Sequence, residues 1–564
     1  MIETHNSEWS STVLDVDPRA MDSLDKVREL SVASNNLWSL PAEFFCQMPS
    51  LRTANMSRNH LLEAGDAALS RAGGCQTRLA TLDLSFNQLT TVEEGAFAQA
   101  ASTLEQLDVS NNRLSILGED MLRGLTSLRR LDLGSNQLSA LPTSLFNRSS
   151  QLTELGLQNN SLAMLPVGVF GGLENLLVLN LSQNAITSHL LTSATFSGMP
   201  SLQALDLSHN QLTKVEPELF SALPAITLLR LQHNKIHSLA PNSFAPLASV
   251  EVIGLSHNKL PTVPAGALAG LAGLKSLSLD HNDISELPEK VFSATPNLED
   301  LSLENNRLEA VPSSVSADAK KLRTLDLGEN KIGRLRAGDF DALPELYGLR
   351  VSGNALAEID KGHFANSSNL HVLNLARNKL VKIEQGSFDG LVELRALRLD
   401  NNVLTDINGL VSSLEKLKWL NVSSNRLQWF DYAFVPRSLE WLDVHENQIE
   451  ELGNYYKLKG EFSLKTLDAS KNAIKGLGPL SLPESLETIF LSENRIREVA
   501  EGIFADKERL QRVDLAGNGI SQLEVDALLV SAKIAHEGKI TPEFTSRSFH
   551  LPSSFWLVSE RVLG

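Results

Sequence analysis

The chain has few of the residues that define several common protein classes. Its 564 residues include two cysteines, Cys46 and Cys75, which is too few for a disulfide scaffold or a four-ligand zinc site. No apolar run reaches the ~18 residues that a membrane-spanning helix requires. The N-terminal stretch "MIETHNSEWSS" has neither the basic nor the apolar segment of a signal peptide. These features exclude small disulfide-rich domains and membrane spans.

Positive charge and catalytic motifs are also scarce. The chain carries 50 Lys and Arg against 67 Asp and Glu, a net charge of −17, and an acidic surface repels the phosphates of nucleic acid. The sequence has no nucleophile elbow, phosphate-binding loop, zincin helix or calcium loop. We therefore predict a protein that is not an enzyme, with no cofactor, no metal and no nucleic-acid partner.

One pattern, L-x-x-L-x-L-x-x-N-x-L, accounts for most of the chain. Segments such as "LATLDLSFNQL" (79–89) and "LRTLDLGENKI" (322–332) align on it, and it occurs 21 times. Of the twenty spacings between its Asn residues, thirteen are 24 residues long. Such a period is typical of a leucine-rich repeat array. The x-L-x-L-x segment alternates like a strand, so its leucines face the core and its other side chains face outward.

We predict an α/β leucine-rich repeat solenoid, a horseshoe with a curved parallel β-sheet on its concave face. The repeat Asn is expected to satisfy backbone groups where each strand ends. A Phe ten residues after the Asn, present in eleven repeats, predicts a second, convex core ladder. The predicted domains are a truncated preceding repeat (1–24), a solenoid of about 21 repeats (25–534) and a C-terminal tail that lacks a cysteine-rich cap (535–564).

The repeats after Asn402 are the least regular part of the array. There the Asn spacings are 23, 22, 25, 22 and 24 residues, and "RLQWFDYAFVP" places four aromatic residues within six positions. A shortened repeat loses the segment that normally carries the ladder Phe. We therefore interpret most of this cluster as core that fills the resulting space.

These irregular repeats resemble the invertebrate long Toll receptors, the group that contains eighteen-wheeler and Tollo. The segments "WFDYAFVP" and "LGNYY" carry the resemblance, together with "THNSEW" and "FFCQMPSL" nearer the N-terminus. The resemblance implies the ligand-binding part of the ectodomain of a cell-surface receptor in innate immune or developmental signalling. It also implies a protein ligand, either a Spätzle-like cystine-knot cytokine or another cell-surface receptor, and a possible receptor dimer.

Family members continue into a transmembrane helix and a TIR domain that this sequence does not contain, so we expect a fragment located on the extracellular side of the plasma membrane. The alternative is a secreted or membrane-anchored adhesion protein built of the same repeats without a TIR domain. An intracellular scaffold would also fit the missing signal peptide, but it conflicts with the cysteine pair.

The two cysteines leave the strand face at similar heights on neighbouring repeats, which predicts a disulfide between Cys46 and Cys75. The alternative is two separate buried thiols. A chain rich in Asn and Ser contains several Asn-x-Ser/Thr sequons by chance. Six sequons predict glycosylation, at Asn55, Asn147, Asn159, Asn180, Asn366 and Asn421.

The outward positions of the later repeats supply the candidate partner-binding residues. Exposed Trp beside Arg is the composition enriched at binding hot spots, whereas the alternative is that the aromatic rings only cover shortened repeats. These residues are Arg350, Arg398, Trp419, Trp441, Asp443 and His445.

A column of histidines precedes the repeat Asn on four successive repeats, at positions 209, 233, 257 and 281. Such a column could bind a metal or respond to endosomal pH. We favour the simpler interpretation, a turn that tolerates His.

Overall fold

The computed structural model describes nine stretches of the chain, residues 24–40, 44–64, 77–92, 95–97, 100–458, 462–478, 480–499, 502–504 and 507–521. The chain divides into two compact units, Met1–Leu274 and Lys275–Gly564. Most of the predicted terminal segments, 1–24 and 535–564, lie outside the described residues. The predicted domain boundaries therefore stay predictions.

The N-terminal unit is built on three-residue parallel strands, one per repeat. Neighbouring strands pair in register, for example Leu205 with Leu229. The leucines at these central positions are almost fully buried. The strands are Glu29–Ser31, Thr53–Asn55, Thr81–Asp83, Gln106–Asp108, Arg130–Asp132, Glu154–Gly156, Val178–Asn180, Ala204–Asp206, Leu228–Arg230 and Val252–Gly254.

The C-terminal unit repeats this arrangement and includes the irregular repeats. Its parallel pairing stays in register through them, with Leu420 opposite Leu442 and Leu442 opposite Leu467. The strands are Ser276–Ser278, Asp300–Ser302, Thr324–Asp326, Gly348–Arg350, Val372–Asn374, Ala396–Arg398, Trp419–Asn421, Trp441–Asp443, Thr466–Asp468, Thr488–Phe490 and Arg512–Asp514.

The segments that connect these strands are mostly turns. Two-residue strand pairs occur in three places, Glu63–Ala64 with Thr91–Val92, Lys214–Val215 with Ser238–Leu239, and Glu358–Ile359 with Lys382–Ile383. The helices of the described residues are one α-helix, Ser313–Asp318, and the 3-10 helices Phe44–Gln47, Ser188–Leu190, Ser193–Phe196 and Tyr432–Phe434. This confirms the predicted leucine-rich repeat solenoid with a parallel sheet, although helices are few.

The repeat Asn joins neighbouring repeats as expected. The Nδ2 of Asn234 donates hydrogen bonds to the carbonyls of Leu207 (2.9 Å) and Leu231 (3.0 Å). Its Oδ1 accepts from the backbone N–H of Leu212 at 2.9 Å. Because three otherwise buried backbone groups depend on one side chain, the position requires an amide with both donor and acceptor.

The residue before the repeat Asn adopts a left-handed backbone conformation. Its φ is 53° at Phe86, 52° at Arg377 and 54° at Glu446, and glycine occupies the same place at Gly353 with φ of 67°. This conformation is costly for any residue with a Cβ. The tight exit from each strand therefore imposes the same backbone strain on nearly every repeat.

The predicted phenylalanine ladder forms the second part of the core. Phe146 stacks on Phe170 and Phe220 stacks on Phe244, each pair with ring centroids 6.3 Å apart and planes within 18° of parallel. All four rings are fully buried. Equal repeats bring each ring over the next, so the ladder is a direct product of the sequence period.

Two of the four aromatic residues in the shortened repeats are core, whereas the prediction assigned most of them to it. Phe430 is 1% exposed and Tyr432 is fully buried, and their rings meet edge to face at 5.0 Å. The Tyr432 hydroxyl donates to the carbonyl of Ser481 at 3.0 Å, and burial raises the pKa of this phenol. Trp429, which is 36% exposed, lies outside this core.

Candidate functional site: the strand face of the C-terminal unit

The two predicted tryptophans form a stacked pair on the outward face of the strands. Trp419 lies opposite Trp441 in register. Their ring centroids are 4.4 Å apart and their planes are within 3° of parallel. Both side chains are half-buried. The pair therefore presents a continuous aromatic edge across two repeats.

The same pair also covers part of the strand face. Trp419 packs against a small buried cluster of Val372 and Ala396, and Tyr347 packs against this cluster too. Val372 is 1% exposed and Ala396 is 2% exposed. The first residue of the strand is smaller on these two earlier repeats, where it is Val372 and Ala396, and it is tryptophan on the later two. Trp419 thus has a packing role as well as an exposed edge.

Arg350 lies at the centre of an ion-pair network that spans three repeats. Its guanidinium contacts Glu304 at 2.8 Å and Asp326 at 2.9 Å, and its Nε donates to the Ser352 hydroxyl at 2.9 Å. Burial raises the pKa of Asp326 to about 6, although the nearby Arg350 opposes this shift. A partner carboxylate would compete with these internal acceptors for Arg350.

Arg398 is held in a bidentate pair with Asp400. Its Nε and Nη2 each donate to one carboxylate oxygen at 2.8 Å. Asp400 is 2% exposed, whereas Arg398 remains half-buried. The buried carboxylate therefore fixes the orientation of a cation on the strand face.

Asp443 and His445 lie together two residues apart. The Asp443 carboxylate accepts the backbone N–H of His445 at 3.0 Å and lies 2.6 Å from the imidazole Nδ1. Burial lowers the pKa of His445, but the Asp443 carboxylate more than offsets this, so the pKa lies above its ordinary value. Asp468 stands opposite Asp443 on the next repeat. Burial and the Asp443 charge both raise the pKa of Asp468.

The structure thus places five of the six predicted partner-binding residues on strands of one unit, and His445 follows the strand Trp441–Asp443 by two residues. Sequence reasoning missed Tyr347, Glu304, Asp326 and Asp468. Burial raises the pKa of two further strand aspartates, Asp108 and Asp300.

The six sequons fall into two structural groups. The side chains of Asn147, Asn159 and Asn366 are exposed. The other three end strands, and in each the Asn Oδ1 accepts both the N–H and the hydroxyl of the sequon Ser at 2.7–3.0 Å: Asn55, Asn180 and Asn421. Asn421 is 7% exposed. Glycosylation stays a prediction, and it fits the exposed group better.

The predicted disulfide concerns one described and one undescribed residue. Cys46 is disulfide-bonded, and Cys75 lies outside the described residues. Cys46 follows the buried Phe45 in the 3-10 helix Phe44–Gln47. The pairing of Cys46 with Cys75 remains a prediction.

The histidine column is stacked within the N-terminal unit. The rings of His209 and His233 are 4.1 Å apart, as are those of His233 and His257, with planes within 12° of parallel. All three side chains are exposed, and each has a left-handed backbone. Parallel stacking does not direct three ring nitrogens at one point. His281 belongs to the C-terminal unit and is within 3.1 Å of Asp280.

No helix in the described part of the chain is long and apolar enough to cross a bilayer.

Comparisons with known proteins support the repeat assignment. The family model described as "Leucine rich repeat" matches residues 77–138, 150–212, 189–236, 226–284, 296–356 and 344–404. These matches cover more than half of the chain. The chain therefore belongs to the leucine-rich repeat family.

One similar protein is a receptor. Toll-like receptor 7 of Drosophila melanogaster is 41% identical over 139 residues, which are 25% of this chain and 10% of that receptor. The chain thus matches a small part of the length of this relative.

Two solved structures show the same fold. A leucine-rich repeat protein of Leptospira interrogans, LIC12759, is 25% identical, with a TM-score of 0.58 over 72% of this chain and 95% of that one. The glycosylated form of the Drosophila Toll–Spätzle complex is 20% identical, with a TM-score of 0.66 over 90% of this chain and 68% of that one. At this identity the second match supports the fold.

Proposed function

We propose that this chain is part of the ligand-binding ectodomain of a Toll-type cell-surface receptor, acting without catalysis through protein–protein interaction. The segment that is 41% identical to Toll-like receptor 7 supports the receptor class. The long-Toll resemblance of the irregular repeats supports a location on the extracellular side of the membrane in the full-length protein. Its role is innate immune or developmental signalling.

The stacked Trp419–Trp441 pair is the observation that carries the binding role. Two parallel stacked indoles bury much area at little entropic cost when a partner covers them. Arg398, oriented by buried Asp400, lies on the preceding repeat. We propose that a protein ligand docks on this face, either a Spätzle-like cystine-knot cytokine or a second receptor ectodomain.

A binding experiment tests this assignment. The chain is immobilised, and a recombinant Spätzle-type cytokine or a second copy of the chain is passed over it while surface plasmon resonance is recorded. Changing both Trp419 and Trp441 to Ser is expected to weaken binding by at least about tenfold, since hot-spot residues contribute 2 kcal/mol or more. Changing Tyr347 to Ser is the matched control, because it removes a half-buried aromatic from the same packed cluster.

The two variants separate recognition from packing. Unchanged binding by the double tryptophan variant, with a lowered melting temperature, would show that the rings serve only the scaffold. Equal losses of binding in the tryptophan and tyrosine variants would indicate a general disturbance of the strand face, and would also contradict the assignment.

A further inference from the structure

We propose that Asp443, His445 and Asp468 form a binding site for a divalent transition-metal ion, with Zn²⁺ as the representative ion. One ligand atom from each residue lies within 4.8 Å of the other two. A zinc ion holds its ligands at about 2.0–2.2 Å, so small side-chain rotations bring the three atoms into its first shell. The inference is independent of the receptor role.

The repeat geometry brings the three residues together. Asp443 and Asp468 occupy the same position on neighbouring strands and lie opposite each other. His445 follows Asp443 by two residues, so its side chain leaves the same face of the strand. Sequence reasoning expected no metal, since it considered the histidine column and did not combine residues of different types across two repeats.

His445 occupies a repeat position that carries serine on ten of the twenty other repeats. On other repeats a serine two residues after the strand Asp or Asn donates both its N–H and its hydroxyl to that side chain, as Ser470 does to Asp468. His445 preserves the N–H bond and substitutes its imidazole for the hydroxyl. The turn therefore does not need a histidine, whereas a metal site does.

The Asp443 carboxylate orients the imidazole. Nδ1 is 2.6 Å from the Asp443 carboxylate, so in the tautomer that carries its proton on Nε2 the lone pair of Nδ1 and the carboxylate contact the same ion. Asp443 is 6% exposed, so its position is held by the surrounding strands.

The charge balance favours a cation. Asp326 and Asp400 on earlier repeats contact arginines, whereas Asp443 pairs with His445, and the two facing carboxylates repel each other. One imidazole with two carboxylates suits zinc and its neighbours better than calcium or magnesium, which prefer oxygen-only ligand sets.

Calorimetric titration of the full chain with ZnCl₂ tests the site, after metal has been removed with a chelating resin. We expect one tight site per chain. His445→Ser and Asp468→Asn should each weaken zinc binding by about tenfold or more. His445→Ser restores the usual serine of the repeat, so its far-UV circular dichroism and melting temperature should match the wild type.

Two control variants distinguish this site from diffuse binding. Asp108→Asn removes an aspartate that faces Asp83 and Asp132 on adjacent repeats without a nearby histidine in that column. His233→Gln interrupts the stacked histidines. Both variants should bind zinc within about twofold of the wild type.

Copper provides a second readout. Trp441 precedes Asp443 by two residues on the same strand, so Cu²⁺ bound at the site should quench its fluorescence, and His445→Ser should abolish the high-affinity phase of quenching. Wild-type zinc affinity in the folded His445→Ser variant would overturn the proposal. So would a comparable loss of affinity in either control variant.

Discussion

The regular repeats around Phe170 and the shortened repeats around Tyr432 solve the same packing problem in different ways. In the first, the rings of Phe146 and Phe170 stack in parallel at 6.3 Å. In the second, Phe430, Tyr432 and Phe462 meet edge to face at 5.0 and 5.6 Å. A constant period repeats one contact, whereas a shortened period forces each ring into a contact of its own. Regular repeats should therefore tolerate substitution that the shortened repeats do not.

Substitutions in the phenylalanine ladder test that tolerance, and they should change the free energy of unfolding the most. Phe170→Ala should lower the free energy of unfolding by about 4 kcal/mol, because it opens a cavity between two stacked rings. Phe170→Leu should cost only about 1 kcal/mol, since Leu268 occupies the equivalent place in its own repeat and is 1% exposed. Phe430→Leu should cost clearly more than Phe170→Leu. Urea denaturation measures all three, and equal costs for the two Leu variants would remove the distinction.

The asparagine ladder gives the next largest effect. Asn234→Ala should cost about 3 kcal/mol, because buried backbone groups lose their partner. Asn447→Ala, in a shortened repeat, should cost about half as much. The same three kinds of hydrogen bond are present there, but Asn447 is only half-buried, so water can replace part of them. A larger loss for Asn447 in urea denaturation would reverse the comparison.

The stability of the folded chain should depend on pH through Asp326, which lies on the strand face of the regular repeats. Burial raises the pKa of Asp326 to about 6, so the folded chain holds this proton more tightly than the unfolded chain. The contribution to stability is therefore present below about pH 4 and is lost as the pH rises through about 6. Relative to Asp326→Asn, the wild type should lose about 2 kcal/mol between pH 4 and pH 7.

Asn occupies the same strand position as Asp326 at Asn374, so the Asp326→Asn variant should retain the fold. Urea denaturation of both proteins across this pH range measures the difference. Parallel pH profiles would show that Arg350 already neutralises Asp326 in the folded chain.

The smallest expected effect concerns the shortened repeats alone. Tyr432→Phe removes the hydrogen bond to the Ser481 carbonyl while it leaves the ring in place. The expected cost is about 1 kcal/mol. Thermal denaturation should detect it as a modest fall in the melting temperature, and an unchanged melting temperature would show that the carbonyl finds another donor.

The sequence predicts the features that follow from its period. The alternating leucines, the Asn bridges and the parallel rings of Phe146 and Phe170 each require only that one repeat be placed over the next. The Trp419–Trp441 stack follows from the same frame. These contacts join equivalent positions, so a single register specifies all of them.

Contacts between non-equivalent positions could not be predicted in this way. Tyr432 reaches a carbonyl 49 residues further along the chain, and Arg350 contacts Glu304, which lies two repeats earlier at a different position of the repeat. Such contacts depend on side-chain length and on how deeply each carboxylate is buried. The repeat pattern carries no information about either quantity.

The left-handed residue before each Asn has a practical consequence for engineering. Every repeat that places a side chain there carries a strain of about 1 kcal/mol, which Gly353 avoids. Glycine substitutions at Phe86, Arg377 or Glu446 would each relieve part of this strain, less the entropy that glycine adds to the unfolded chain. Because these positions are far apart in the chain, the gains should add. The backbone thus offers a series of separate adjustments by which thermal stability could be raised in small steps.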